Sequence, residues 1–292
     1  MANKSRFKIA KRDIIALFET RQQRVYRERE LEQIIAANRS AWRLAVGTGV
    51  QEFVELMIES TALQAINLHL NGLEKTLYSW GTATAFEVAT GILPRAYLSH
   101  YTALYLHDLT EQIPKQLFVN QEQSLKAPVL VPLTQAVLDT SFTKPQRQST
   151  SLGTYGDYTL VLLHGKHTGQ LGVVTHPHFA AGHPTLTSLE RTLIDVTVRP
   201  DYAGGVHQVL EAYRRAANRV SINRLVGMLA KLAYRYPYHQ AVGFYLEKAG
   251  NYKPAQLNLL RKLDRTLDFY LTHDMRTTAY SPEWQLYYPL GF

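Results

Sequence analysis

The chain has 292 residues, 46% of them hydrophobic and 19% charged, enough apolar material for two cores at about 150 residues per domain. It contains no cysteine, which excludes disulfides, thiolate metal sites, iron–sulfur clusters and a cysteine nucleophile. The net charge of +8 points to a polyanionic partner, and no apolar run of about 18 or more residues is present to span a bilayer.

The charge is concentrated at one end. The first 43 residues hold eleven cations against five acids, and so carry six of the eight net positive charges. MANKSRFKIAKRD enters a charged helix with no apolar signal-peptide segment, so a cytoplasmic location and no membrane partner are expected. Ile14, Leu17 and Phe18, then Leu31, Ile34 and Ile35, give the i, i+3, i+4 spacing of two short helices separated by a Val25-Tyr26 strand. Thr48 followed by Gln51 has the form of a capping box that opens a third helix, with Val50, Phe53, Val54, Met57 and Ile58 on its apolar stripe.

Segments 62–70 and 73–80 flank Asn71-Gly72, the dipeptide suited to a type I′ hairpin, and this hairpin is read as a wing. Helix, strand, helix, helix and hairpin within about 80 residues is the order of a winged helix-turn-helix. The expected fold class is therefore α+β, with a winged helix over residues 1–92 and a larger mixed α+β domain over 93–292.

The second domain is read as a helix capped by Ser99, a strand at Leu117–Val119, loops and short strands over 120–157, and strands at 158–163 and 172–175. A second capping box, Thr187 with Glu190, precedes the apolar set Leu189, Leu193, Ile194 and Val196. Further helices are expected at Val206–Tyr213, behind Ser221, and from about Gln240 to Ala249, the last stopping at Gly250, with a final strand at Phe269–Leu271.

Three stretches, PRAYLSHYTALYLHDLTEQIP (94–114), TSLERTLIDVTVRPDYAGGVHQVLEAYRRA (187–216) and VSINRLVGMLAKLAYRYPYHQAVGFYLEKAG (220–250), together resemble the AbiEi family of antitoxins. The resemblance implies a transcriptional regulator of a type IV toxin–antitoxin, or abortive-infection, system. Its N-terminal domain would repress its own operon at upstream DNA repeats. Its C-terminal domain would serve neutralisation of a nucleotidyltransferase-like toxin, in this family often without a stable complex. The long connection from Asn38 to Gly47 and the long third helix depart from the short antitoxin winged helix.

A helix-turn-helix offers the N-terminal residues of its recognition helix to base edges, while basic side chains hold phosphates. Here Gln51 either reads adenine or closes the capping box, and Arg43 is placed to pair with guanine, each bidentate contact being worth about 1–3 kcal/mol of discrimination. Glu52, Glu55 and Glu59 make the exposed face of this helix acidic, so it is expected to enter tip-first at Thr48 and Gln51. The phosphate contacts then fall to Lys4, Arg6, Lys8, Lys11 and Arg12, to Arg24, Arg27, Arg29, Arg39 and Arg43, and to Lys75 in the wing.

Arg214, Arg215, Arg219, Arg224, Lys231 and Arg235 are either polar helix faces or, if they converge, a second basic surface. Tyr234, Tyr236, Tyr238, Tyr245 and Tyr252 could form an interaction surface. His164, His167, His176, His178 and His183 have spacings open to a metal, and a metal-dependent nucleic-acid enzyme is the alternative reading. No carboxylate lies close in sequence, and no phosphate loop or nucleophile elbow is present, so neither enzyme nor cofactor is expected. A DNA-binding regulator without a toxin partner is the third possibility. Arg191 with Asp195 reads as an i, i+4 helix pair worth about 0.2–0.5 kcal/mol.

Overall fold

The computed structural model describes residues 2–127, 131–176 and 184–292, with side chains from Ser5 onward. The chain is a mixed α+β fold in which helices pack on a large curled sheet. Helix α1 (Ala2–Thr20) is followed by β1 (Val25–Tyr26), α2 (Glu28–Asn38), α3 (Val50–Ser60), β2 (Leu63–Leu70) and β3 (Leu73–Trp80). Phe7, Ala10, Ile14 and Phe18 line one side of α1 and are buried with Leu31, Ile34 and Ile35 of α2 and Phe53, Val54 and Met57 of α3. This stripe places α1 on the same core as the two helices after it. Phe18 stacks on Trp80 at 5.0 Å and meets Tyr26 edge-on at 5.2 Å, which closes the cluster against β1 and β3.

The hairpin forms as its sequence indicates. Asn71 and Gly72 have φ of 52° and 77°, the pair of positive values that a type I′ turn needs, and β2 and β3 pair from Leu63↔Trp80 to Leu70↔Leu73. Beyond β3 the elements are shorter and their periodicity fainter. Helix α4 (Ala85–Gly91), β4 (Tyr97–Leu98), α5 (His100–Leu106), β5 (Gln116–Glu122), α6 (Gln135–Phe142), β6 (Leu152–Tyr155), β7 (Tyr158–Gly165), β8 (Val173–Thr175) and β9 (Thr185–Thr187) lead to α7 (Leu189–Val198). A 3₁₀ turn at Pro200–Ala203 is followed by α8 (Val206–Ala216), α9 (Ile222–Leu232), α10 (Tyr238–Ala249) and α11 (Pro254–Arg261). Strands β10 (Phe269–Tyr270), β11 (Thr278–Ser281) and β12 (Leu286–Pro289) form a small separate sheet, so the strand expected at Phe269–Leu271 is followed by two more and is not the last.

Nine strands make one sheet in the order β1-β3-β2-β6-β7-β5-β4-β9-β8. The hairpin is an interior part of it: β2 pairs with β6 at His69↔Thr154 and Leu70↔Gly153. A Cβ on Gly153 would stand 2.6 Å from the His69 carbonyl oxygen, so the close approach of these strands requires glycine there. Val25, Leu68 and Leu77 share a core with Leu98, Leu117, Val119, Leu160, Leu162 and Leu186, and the stretch 91–94 therefore lies between segments that pack together. The opposite face of β5 and β7 buries Phe118, Val161 and Leu163 against Tyr202. Coverage on both faces explains the unbroken apolar runs of these parallel strands.

Two expected capping boxes do not form. Helix α3 begins after Gly49, and Thr48 is 2% exposed with its hydroxyl unpartnered among the described residues. Helix α7 is capped by Ser188, while the Thr187 hydroxyl bonds that of Thr192 at 2.7 Å from within β9. The reciprocal box that does form is Thr84 with Glu87: the Thr84 N–H donates to the carboxylate at 2.6 Å and the Glu87 N–H to the hydroxyl at 3.3 Å. The third core gathers α7 to α11 around Tyr213, Phe244, Tyr245 and Trp284. Gln240, fully buried, donates to the carbonyls of Leu267, Trp284 and Gln285 and so ties α10 to the C-terminal sheet.

Candidate nucleic-acid interface

The buried stripe of α1 turns Arg6, Lys8 and Arg12 to solvent and leaves Lys11 half-buried; the Lys4 side chain lies outside the described residues. Arg29 projects freely from α2. Between α2 and α3 the chain makes a compact turn over 39–49 rather than an open loop. Trp42 stacks on Phe53 at 5.9 Å with 6° between the planes, and the Arg39 guanidinium donates to the carbonyls of Ala45, of Val46 at 3.2 Å and of Thr48 at 3.0 Å. Arg43 sits at the C-terminal bend of this turn with φ of 52°, a left-handed backbone, and its side chain is exposed.

The expected contact residues divide into free and occupied groups. Arg24 donates to the Trp80 carbonyl at 3.2 Å. Arg27 pairs with Glu30 and reaches the Gly91 carbonyl at 3.3 Å. Lys75 donates to the Ile92 carbonyl at 2.8 Å, and its ammonium is held below the ordinary lysine range by burial and by the nearby Arg27 charge. With Arg39 these are structural fasteners, so the basic segment offers fewer phosphate contacts than its charge suggests. Thr48 is corrected from a base-reading residue to a core one, because burial removes its hydroxyl from any groove. Gln51 remains at the exposed tip of α3, where its amide donates to Glu28 at 2.7 Å.

The ribbon is not a free wing. The Asn71 N–H donates to the Leu152 carbonyl at 2.8 Å and the Ser151 hydroxyl to the Asn71 side chain at 3.0 Å, so its tip is fastened to β6. Its cation Lys75 faces Ile92, and Leu73, 73% exposed, occupies the tip instead.

In the C-terminal half three of the six expected basic residues are paired with carboxylates. Arg215 pairs with Glu111 and Glu211 at 3.0 Å each, Arg214 with Glu211 at 3.7 Å, and Arg224 with Glu190 at 2.7 Å. Arg219 donates to the His107 carbonyl at 2.6 Å and Arg235 to that of Val131 at 3.3 Å, while Lys231 is exposed. Glu190 reaches across to α9, accepting also from the Ser221 N–H at 3.1 Å, which is why it does not cap its own helix. The tyrosines serve packing: Tyr238, Tyr245 and Tyr252 are buried, and Tyr245 stacks on Tyr213 at 5.2 Å. This removes those three from the expected tyrosine surface, while Tyr234 and Tyr236 are half-buried.

The histidines are dispersed. His164 is exposed, His167 stands 3.7 Å from Glu122, and His176 bonds the Leu106 carbonyl at 3.1 Å; His178 and His183 lie outside the described residues. Among the described residues no group of three or more metal-ligating side chains converges.

The sequence understated one buried polar centre. Arg191 and Asp195 are 5% and 8% exposed and bond at 2.8 Å, and the same guanidinium donates to the Leu171 carbonyl at 2.6 Å. Burial lifts the Asp195 carboxyl above its ordinary value, with Arg191 pulling the other way. Glu122 lies beside this pair. Burial pushes its carboxyl up, but hydrogen bonds from the Thr168 hydroxyl and N–H and the Gln170 N–H, with the Arg191 charge, outweigh that and hold it below the usual glutamate value. The arrangement fastens the 168–171 turn to β5 and α7; an apparently ordinary i, i+4 pair gave the only hint of it.

Fold and surface thus define a mixed α+β protein whose N-terminal helices carry basic side chains that no carboxylate pairs with among the described residues. No protein-family model and no curated protein matches the sequence. Among solved structures the chain is similar to the RV2827C protein from Mycobacterium tuberculosis, with a TM-score of 0.53 and 12% identity over 94% of this chain and 89% of that one. At that identity the likeness concerns the fold alone. Among the described residues no helix is long and apolar enough to cross a membrane.

Proposed function

We propose that the protein is a DNA-binding transcriptional autorepressor and antitoxin of the AbiEi type, with residues 1–92 acting as a winged helix-turn-helix. The observation that carries this reading is the order α1-β1-α2-α3-β2-β3 around one core, with β1, β3 and β2 adjacent and antiparallel. The exposed cations Arg6, Lys8, Arg12, Arg29 and Arg43 support it, since none of these side chains is occupied by a carboxylate among the described residues. In this reading α1 and Arg29 grip phosphates and the tip of α3 at Gln51 meets the bases, because the ribbon is fastened into the sheet and the α3 flank is acidic. The residues from 93 onward serve toxin neutralisation in the cytoplasm, with neither cofactor nor catalysis.

Fluorescence anisotropy with the DNA upstream of the protein's own reading frame tests the first half. Four phosphate contacts, from Lys8, Lys11, Arg12 and Arg29, give a slope of log K against log salt of about −3.6. A slope near zero, or no binding at low salt, refutes it. Co-expression with a nucleotidyltransferase-like toxin tests the second half: growth is restored, and continued growth arrest removes the antitoxin role.

A further inference from the structure

The N-terminal half of α1 and the turn over 39–49 enclose an open groove of about 810 Å³. Ile9, Leu44 and Val46 supply apolar wall, and Arg6, Arg39 and Arg43 supply charge. Ile9 is 74% and Val46 93% exposed, although β-branched side chains of this size usually bury. Arg39 is engaged with the carbonyls of the turn, which fixes the groove's shape. The Arg6 and Arg43 side chains have no partner among the described residues. The groove therefore presents two exposed aliphatic side chains flanked by two available guanidinium groups.

The outer face of α3 has the complementary character. Glu55 is exposed and without a partner among the described residues, Ile58 follows at i+3 with 42% exposure, and Glu59 at i+4 is exposed beside it. An apolar side chain beside an available carboxylate on one helix face is the pattern that enters an apolar groove rimmed by cations. We propose that this groove receives α3 of a second copy of the chain, with Ile58 against Ile9 and Val46 and the Glu55 carboxylate against Arg43 and Arg6. Nucleic acid would pair with the arginines but leave both aliphatic side chains in water, whereas α3 covers both kinds of surface. The self-contact leaves Lys8, Lys11, Arg12 and Arg29 available for DNA, and it stands without that reading because association is measured in the absence of DNA.

Sedimentation velocity on the full chain, across the micromolar range and at low and high salt, tests the proposal. The expected result is concentration-dependent association that weakens with salt. Arg6→Glu/Arg43→Glu and, separately, Glu55→Arg each associate at least about tenfold more weakly, since like charges then face each other. All three side chains are solvent-exposed, so both variants fold, as their circular dichroism will show. An equimolar mixture of the two associates again, because each variant's groove then meets a helix of opposite charge. A wild-type protein that stays monomeric, variants that associate like the wild type, or a mixture that stays monomeric overturns the proposal. So does an Arg6→Glu/Arg43→Glu variant that loses DNA affinity with its association unchanged, which would assign the groove to nucleic acid.

Discussion

Replacing Asp195 with alanine removes the only carboxylate bonded to the buried Arg191 among the described residues. On a helix surface the loss of an i, i+4 pair costs about 0.2–0.5 kcal/mol. Here the partners are 5% and 8% exposed, and the guanidinium would keep as hydrogen-bond partners the Leu171 carbonyl and the Thr168 hydroxyl at 3.4 Å, with the Glu122 charge nearby but not bonded to it. Stranding a charge at such a site costs about 3–5 kcal/mol, a large share of the roughly 5–15 kcal/mol that holds a typical domain together. Urea unfolding reads this through tryptophan emission, because Trp284 belongs to the C-terminal core and Trp42 and Trp80 to the N-terminal one. In a Trp42→Phe/Trp80→Phe background the signal reports on the core that contains α7. Asp195→Ala should lower its stability by about 3 kcal/mol or more, and Arg191→Met/Asp195→Leu should recover most of the loss, because an apolar pair leaves no stranded charge. A loss below about 1 kcal/mol for Asp195→Ala would show that water reaches Arg191 and would refute the assignment of a buried ion pair.

Lys8→Glu/Arg12→Glu should weaken DNA binding and flatten its salt slope by about two units, whereas Lys75→Gln should leave the slope unchanged because Lys75 is bonded to Ile92; equal effects from both, by anisotropy, would contradict the division of free and fastened cations. Glu122 has a folded-state carboxyl below its ordinary value of 4.5, so its contribution to stability is present above that value and is lost as pH falls through the lower folded value. Glu122→Gln should therefore show a shallower loss of stability on acidification in that window, measured as thermal midpoints against pH; an unchanged profile would speak against it. Gly243→Ala would drive a methyl group into the Trp284 ring, and the overpacking should cost about 1–3 kcal/mol or more, read as a lowered urea midpoint of the C-terminal core. An unchanged midpoint would mean that Trp284 does not lie across α10 as described.

The elements that the sequence made legible are those with local causes. The stripe of α2, that of α3 apart from Ile58, which is 42% exposed while Leu56 is buried, the Val25-Tyr26 strand, the Asn71-Gly72 turn, Ser221 before α9 and Gly250 after α10 follow from periodicity and from backbone preferences at single residues. Helices α4, α6 and α11 were missed because they span only seven, eight and eight residues, too short for a period to show. A Thr-x-x-Glu or Thr-x-x-Gln spacing occurs at 20, 48, 61, 84, 143 and 187, and only the one at 84 caps the start of a helix. The motif does not specify which residue ends the preceding turn, and a shift of one position sends the hydroxyl into the core or the sheet.

The sequence by itself determined the composition of the N-terminal segment: a basic, cysteine-free stretch with three helical stripes and a hairpin. Those properties depend on residue type and near-neighbour spacing. Only the tertiary structure decided which cations remain free. Arg24, Arg27, Arg39 and Lys75 meet carbonyls or a carboxylate brought by segments up to 64 residues away, and the hairpin meets β6. Charge is a property of a side chain, but its availability depends on what the fold places within hydrogen-bonding distance. The same reason separates Arg191–Asp195 from an exposed helix pair: identical spacing, with burial supplied by β5, the 168–171 turn and α7 together.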